Sequence, residues 1–222
     1  MISVLCPSRG RPKELRRMME SALDTSYNPN CVDFLVYVDD NDKTRDKYPD
    51  ASIIGPPLPL GPAYQYLYNH SLAPIVMMAA DDLIFRTKDW DRELINLAPE
   101  HNCFVCSFDD LGRPRKENGH PFIGRKFVEL VGYFTYPRLK HSCVDNWVVD
   151  IANKAGCFLY ADFIIEHVHP KYQKGEWDNT YLENTKDIKT MDGAVYLGAE
   201  GRKEIEKAAQ RVRDYLEPPQ AD

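Results

Sequence analysis

Along the first half of the chain, short apolar runs alternate with stretches of helical spacing. Ile2 to Cys6 reads as a buried strand, Pro7-Ser8-Arg9-Gly10-Arg11 as a turn, and Pro12 as the opening of a helix, where proline is tolerated. Leu15, Met18, Met19, Ala22 and Leu23 then recur at i, i+3, i+4, i+7 and i+8 and form one buried stripe. Asp33 to Val38 is a second strand ending at Asp39-Asp40-Asn41-Asp42, and Ser52 to Ile54 is a short third. Gly61-Pro62 starts a helix through about Ser71, and the run Val76 to Ala80 is a buried strand that delivers Asp81-Asp82. Such alternation predicts an α/β domain, a mostly parallel sheet flanked by helices.

The second half is less regular. Cys103 to Phe108 is strand-like, Asp109 to Pro114 turns, and Arg115 to Pro121 is polar and loop-like. Arg125 to Gly132 reads as a helix with Phe127, Leu130 and Val131 inward. Ser142-Cys143-Val144-Asp145 resembles a capping box, and the helix after it runs to about Ala155, with Gly156 as its C-cap. Cys157 to Tyr160 and Phe163 to Val168 alternate as strands, and Lys171 to Met191 is polar and expected to be mobile. An amphipathic helix over 202–216, with Ile205, Ala208, Ala209, Val212, Tyr215 and Leu216 on one face, precedes a Pro-Pro tail. With no repeat and no clear linker, a single domain is expected: residues 1–200, with 201–222 as a helix and tail packed on it.

Composition narrows the picture. A chain of 222 residues, 43% hydrophobic, buries one sizeable core. No stretch approaches the ~18 apolar residues of a membrane span. The first residues enter a strand pattern with no basic leader, so a cytoplasmic protein is expected, in the host cytoplasm if phage-encoded. Six cysteines in mostly apolar contexts read as reduced core thiols. Cys103 and Cys106 form a C-x-x-C, but on a strand they face opposite sides, which argues against zinc. The net charge of −6 gives no footprint for nucleic acid. Basic residues cluster only locally, at Arg9, Arg11, Lys13, Arg16 and Arg17, and at Arg113, Arg115, Lys116, Arg125 and Lys126.

The candidate chemistry gathers after strands. Pro7-Ser8-Arg9-Gly10-Arg11, Asp39-Asp40, the helix opening at Gly61 and Asp81-Asp82 would all converge on the carboxyl edge of a parallel sheet, where ligands of such sheets bind. Two adjacent carboxylates repel each other unless a cation lies between them or one takes up a proton. Oxygen ligands of this kind suit Mg²⁺ or Mn²⁺, which in turn suit a diphosphate. A helix N-terminus and basic groups suit its phosphates, and a carboxylate suits base or ribose donors. A solvated acidic turn explains Asp81-Asp82 taken alone equally well. His167 and His169, at i, i+2, end the last strand on one face and are candidate metal ligands, with a structural hydrogen-bonding role as the alternative. His120 and Arg125 are candidates for acceptor contact, and Trp147 for an aromatic face, although core packing explains most such aromatics.

The order of these elements resembles the GT-A glycosyltransferases, most closely family 2-type members of small bacterial and phage type. A strand, Pro7-Ser8-Arg9, a helix, a strand ending in Asp39-Asp40 and an apolar strand ending in Asp81-Asp82-Leu83-Ile84-Phe85, then Trp90-Asp91, carry the resemblance over roughly residues 1 to 170. The resemblance implies a GT-A (Rossmann-like) fold and sugar transfer from a nucleoside diphosphate sugar, a UDP-sugar first among them. By the same resemblance Pro7, Ser8, Arg9, Arg11, Asp39, Asp40, Gly61 and Asp81 are nucleotide-sugar-binding residues. It makes Asp82 the ligand of Mn²⁺ or Mg²⁺, with His167 or His169 completing the shell, and Asp145 the base of an inverting displacement. Ala80 departs from the family's Asp-x-Asp form, and Asp145-Asn146 from its usual Glu-Asp.

The acceptor is left open as a soluble glycan, a small molecule, or a modified DNA base if phage-encoded. In the last case the Arg113 to Lys126 loop would touch DNA. Membrane insertion is not expected. Two competing classes remain: nucleotidyl transfer to a sugar phosphate, disfavoured by the single glycine of the first turn, and a non-catalytic nucleotide-sugar-binding module.

Overall fold

The computed structural model describes residues 1–112, 119–174, 177 and 186–217. Eight strands form one sheet. They are β1 (Ile2–Ser8), β2 (Val32–Asp39), β3 (Ile53–Gly55), β4 (Ile75–Met78), β5 (Leu83–Phe85), β6 (Val105–Asp109), β7 (Phe122–Gly124) and β8 (Phe158–His167). Their order across the sheet is β3-β2-β1-β4-β7-β6-β8-β5. β3, β2, β1 and β4 are mutually parallel, β7 is antiparallel to both β4 and β6, β6 and β8 are parallel, and β5 runs against β8. The carboxyl ends of β1, β2, β4, β6 and β8 and the start of β7 therefore share one edge.

The described helices are α1 (Pro12–Thr25), α2 (Leu60–His70), α3 (Trp90–Leu97), α4 (Arg125–Val131), α5 (Val144–Ala155), α6 (Lys186–Leu197) and α7 (Ala199–Leu216). They cover the sheet on both faces, which is why the central strands read as unbroken apolar runs. One core gathers Leu5, Val76 and Ile123 with α2, α4, α5 and α7; the other gathers Val4, Met77 and Phe122 with α1 and α3. Cys103 and Cys106 fall in opposite cores, and all six thiols are free. No helix among the described residues is long and apolar enough to cross a membrane.

Four expectations change. The strand read from Val76 to Ala80 is shorter and starts earlier: β4 is Ile75–Met78, and after the Asp81-Asp82 turn Leu83–Phe85 forms a separate strand at the far edge of the sheet, paired with β8. The two stretches read as strands at 157–160 and 163–168 are one strand, β8, whose register against β6 shifts between Ser107 and Asp109. Local alternation cannot distinguish such an irregularity from a break. The capping box does not form, because α5 is capped by Cys143 in the left-handed region (φ 62°) with no side-chain bond. The end of the polar run 171–191 is helical from Lys186. Arg113, Arg115, Lys116, residues 175–176 and 178–185 of that run, and Pro218-Pro219 lie outside the described residues.

Trp90-Asp91 has a structural explanation. Trp90 is fully buried and donates to the Ala22 carbonyl at 3.0 Å. Asp91, also buried, accepts the Tyr27 and Asn28 N–H groups at 2.6 and 3.0 Å. Together they fasten the loop after α1 to α3.

Candidate functional site

A cavity of about 1300 Å³ opens along the carboxyl edge of the sheet. Pro7, Ser8, Arg9, Arg11, Asp39 and Asp81 line it, as do Asp82, His120, His167, His169 and Asp145. Residues from six separate segments therefore meet in one space.

The first turn is built by its neighbours. Gly10 takes φ 73°, a conformation that glycine adopts without strain, and its N–H donates to Asp42 at 2.7 Å. Burial alone would raise the Asp42 carboxyl, but N–H groups of Thr44 and Gly10 bring it below the usual range. Arg9 donates to Asp39 at 2.5 Å and to Asn41 at 2.7 Å, so the two residues expected at the nucleotide arrive as a pair.

Asp81 and Asp82 are both buried, and the resolution of their repulsion is visible. The Arg11 guanidinium, also buried, stands 3.3 Å from Asp81 and 3.9 Å from Asp82. Ser8 donates to Asp81 at 2.6 Å and also meets the Tyr48 hydroxyl at 3.1 Å. Burial and then the Asp82 charge still push Asp81 up to about 7, against the pull of Arg11 and Ser8. Arg11 lines the cavity with its guanidinium held against the carboxylates.

His167 Nε2 lies 3.2 Å from Asp82 Oδ1, and the His167 N–H donates to the Asp110 carbonyl and the Val168 N–H to the Asp82 carbonyl, which joins the three segments there. Two ligands ~2.1 Å from one cation at right angles stand about 3 Å apart, so this spacing suits adjacent corners of an octahedron. Among the described residues no group of three or more His, Cys, Asp and Glu gathers as metal ligands. Asp82 and His167 offer one carboxylate and one imidazole, donor types that Mn²⁺ accepts. His167 Nδ1 is buried without a hydrogen-bond partner among the described residues. His169 lies beyond the end of β8, where its Nδ1 accepts the Lys171 N–H at 3.0 Å, and its ring is 5.2 Å from that of His167.

The opposite wall comes from α5 and the loop before it. Asp145, Asn146, Asp150 and Asn153 line the cavity, with Tyr196 from α6. The loop is fastened from two sides. Asp192 of α6, buried, accepts the N–H groups of Lys140, His141 and Ser142 at 3.1, 2.7 and 2.7 Å. Gly61 donates its N–H to the Lys140 carbonyl at 2.8 Å, and a Cβ there would collide with the Leu139 carbonyl.

Several expected residues stand elsewhere. Gly61 packs on this loop and does not line the cavity. Asp40 is exposed outside it. Arg125 reaches the Ala73 and Ser71 carbonyls at 2.8 Å each, over the Tyr68 ring. Trp147 is fully buried, stacked on Tyr136 at 4.0 Å and bonded to the Tyr133 hydroxyl. Sequence reasoning missed Asp192, Tyr196 and Tyr64. The Tyr64 hydroxyl, pushed well up by burial, donates to the Ala79 carbonyl at 2.8 Å and fixes the approach to Asp81. On the α5 face only Asp145 was expected; the helical spacing of Asn146, Asp150 and Asn153 is the signal that could have found the rest.

No protein-family model and no curated protein matches the chain in sequence. Solved structures do match in shape. Mannosyltransferase PcManGT from Pyrobaculum calidifontis, in complex with GDP-Man and Mn²⁺, aligns with TM-score 0.59 at 11% identity, over 99% of this chain and 76% of that one. S. aureus TarS 1-349 with UDP-GlcNAc gives 0.55 at 10% identity, over 97% and 73%. Glucosyl-3-phosphoglycerate synthase from Mycobacterium tuberculosis, with Mn²⁺, UDP-Glc and phosphoglyceric acid, gives 0.55 at 14%, over 96% and 79%. The fold is that of the GT-A glycosyltransferases.

Proposed function

We propose that the protein is a glycosyltransferase that moves a sugar from a nucleoside diphosphate donor, a UDP-sugar first among the candidates, to a hydroxyl acceptor. The observation that carries this reading is the convergence of Arg9–Asp39, Asp81-Asp82, His167 and Asp145 on one cavity at the sheet edge. The solved structures of similar shape, bound to UDP-GlcNAc, GDP-Man or UDP-Glc, support it.

Asp39 with Arg9 holds the nucleoside, and Asp81 stands beside it toward the ribose. Asp82 and His167 would hold Mn²⁺ or Mg²⁺, which would supply positive charge for the departing diphosphate. Asp145 takes the proton of the acceptor hydroxyl as its oxygen bonds to the anomeric carbon. The bond from that carbon to the diphosphate breaks with its electron pair on the leaving group, and the configuration inverts. Asp192 and Gly61 act through the loop, fixing where Asp145 begins.

A non-catalytic binding module has one observation in its favour: Arg11 already supplies a cation between the two carboxylates. Thermal-shift measurements with UDP, GDP, CDP, ADP and their sugars, with and without Mn²⁺, test both readings. A ligand at ~100 times its dissociation constant adds about 2.7 kcal/mol. A metal-dependent shift lost in Asp82→Ala, with diphosphate release from the matching donor, is the expected result. A shift without release favours the module, and no shift with any of them sinks both readings.

A further inference from the structure

The two oxygens of Asp82 face different partners. Oδ1 lies 3.2 Å from His167 Nε2, the side on which a cation would join them, and Oδ2 lies 3.9 Å from the Arg11 guanidinium. Arg11 also reaches Asp81 Oδ1 at 3.3 Å. More than charge keeps it there. Its N–H donates to the Tyr48 hydroxyl at 3.0 Å, that hydroxyl meets Ser8 Oγ at 3.1 Å, and Ser8 donates to Asp81 at 2.6 Å. Arg11, Tyr48, Ser8 and Asp81 therefore close a ring of bonds, and all four residues are buried. Arg9, the neighbouring arginine on this wall, turns to Asp39 and Asn41 instead.

A positive charge fixed in this way acts with opposite sign on the two parts of a metal–diphosphate donor. It repels a dication held by Asp82 and His167, and it attracts a diphosphate in the cavity that Arg11 lines. Across one shared carboxylate a unit charge and a dication stand roughly 6 Å apart, and even at the dielectric constant of water their repulsion is worth about tenfold in affinity. Weaker screening at a buried site enlarges the effect. For metal and diphosphate bound together, repulsion and attraction offset each other. An ion pair that served the fold alone would act otherwise, since its loss would weaken both ligands.

We infer that Arg11 is a resident counter-ion that sets what the donor site accepts: it disfavours the free dication, favours the diphosphate, and so lets the metal enter with the donor rather than ahead of it. This role rests on the proposed donor and metal reading of the cavity. It makes Arg11 a residue of selectivity, acting through Asp82, in addition to any contact it makes with the nucleotide.

The test compares the full-length wild type with Arg11→Gln and Arg11→Lys. Mn²⁺ binding is read from the loss of the electron paramagnetic resonance signal of free Mn²⁺, and UDP binding from calorimetry in EDTA. Arg11→Gln should bind Mn²⁺ alone about tenfold tighter and UDP alone about tenfold weaker, while Arg11→Lys, which keeps the charge, stays within about threefold of the wild type in both. The gain for Mn²⁺ should vanish in Arg11→Gln/Asp82→Ala. Because breaking a buried pair costs stability, a second measurement uses the wild type alone. Its Arg11 Nε–H resonance, assigned by Arg11→Lys, should shift with UDP in EDTA, stay sharp with Mn²⁺ alone, and broaden when the same Mn²⁺ concentration is given with UDP.

Arg11→Gln binding Mn²⁺ no tighter than the wild type, or binding both ligands more weakly, overturns the inference and leaves Arg11 a structural ion pair. Broadening by Mn²⁺ alone to the extent seen with UDP overturns it as well. Neither result touches the donor reading, which the UDP titrations report separately. Absence of Mn²⁺ binding in every protein, with or without UDP, would sink the metal role of Asp82 and His167 together with the inference.

Discussion

The two walls of the cavity are built by different means. On the strand-edge wall each polar residue follows its strand within a few positions: Ser8 ends β1, Asp39 ends β2, and Asp81 follows β4 by three residues. Their placement is a consequence of the sheet, and parallel register alone brings them together. The α5 wall depends on tertiary fastening. Asp145 begins a helix without a side-chain cap, after a left-handed Cys143, in a loop held by Asp192 from about fifty residues downstream. One wall comes with the fold, whereas the other has to be assembled on it.

The comparison is sharpest in the kinetics. Asp145→Asn should lower transfer by ~10³, the usual range for losing a positioned base, while leaving nucleotide affinity within about twofold. Steady-state rates set against calorimetry on the same sample check this; equal losses in both would place Asp145 on the donor instead. Asp82→Ala should act on the other wall, weakening metal-dependent nucleotide binding by about 100-fold. Calorimetry with UDP and Mn²⁺ reads it directly, and unchanged affinity would remove Asp82 from the metal.

Third in size is the fastening itself. Asp192→Ala removes the carboxylate that three part-buried N–H groups now share, a cost of about 3 kcal/mol. For a chain of this length that is roughly 6–12 °C in Tm. The loss should fall on the α5 wall alone, so Lys140, His141 and Ser142 amides should exchange faster while β1 and β2 amides stay protected. Uniform deprotection would mean that the two walls are one cooperative unit.

What the sequence disclosed follows the same division. β1, β2 and β4 were legible because strands buried on both faces must be apolar throughout, and a polar residue at their end stands out. The Asp81-Asp82 turn was legible for that reason, and the conflict between its charges could be stated from the residues alone. Its partial relief by Arg11 was not. Arg11 looks like any basic residue of a turn, and only the fold shows it buried against both carboxylates. Trp147 and Arg125 misled in the opposite sense, since neither an indole nor a guanidinium announces whether it faces a cavity or packs elsewhere. Asp192 was invisible: one aspartate in a polar run carries no mark of the three amides it binds across the chain.

The remaining expected effect lies in the pH dependence of the metal-free protein. Asp81 is held up to about 7 when folded, first by burial and then by Asp82, whereas an unfolded aspartate titrates near ~3.9. The folded state therefore binds this proton more tightly. The stability it contributes is fully present below about pH 4 and is lost as pH rises through about 7. Asp81→Asn removes the titration while leaving an oxygen for Ser8 to bond. Melting curves without metal should show the variant gaining on the wild type as pH rises from about 4 to 8, with no further divergence above that. Added Mn²⁺ should narrow the gap, because a cation at Asp82 relieves the charge that Asp81 resists. A gap that widens toward low pH would mean that Arg11 outweighs both burial and Asp82. The strand-edge wall would then be balanced for an empty site, with no strain left for a metal to release.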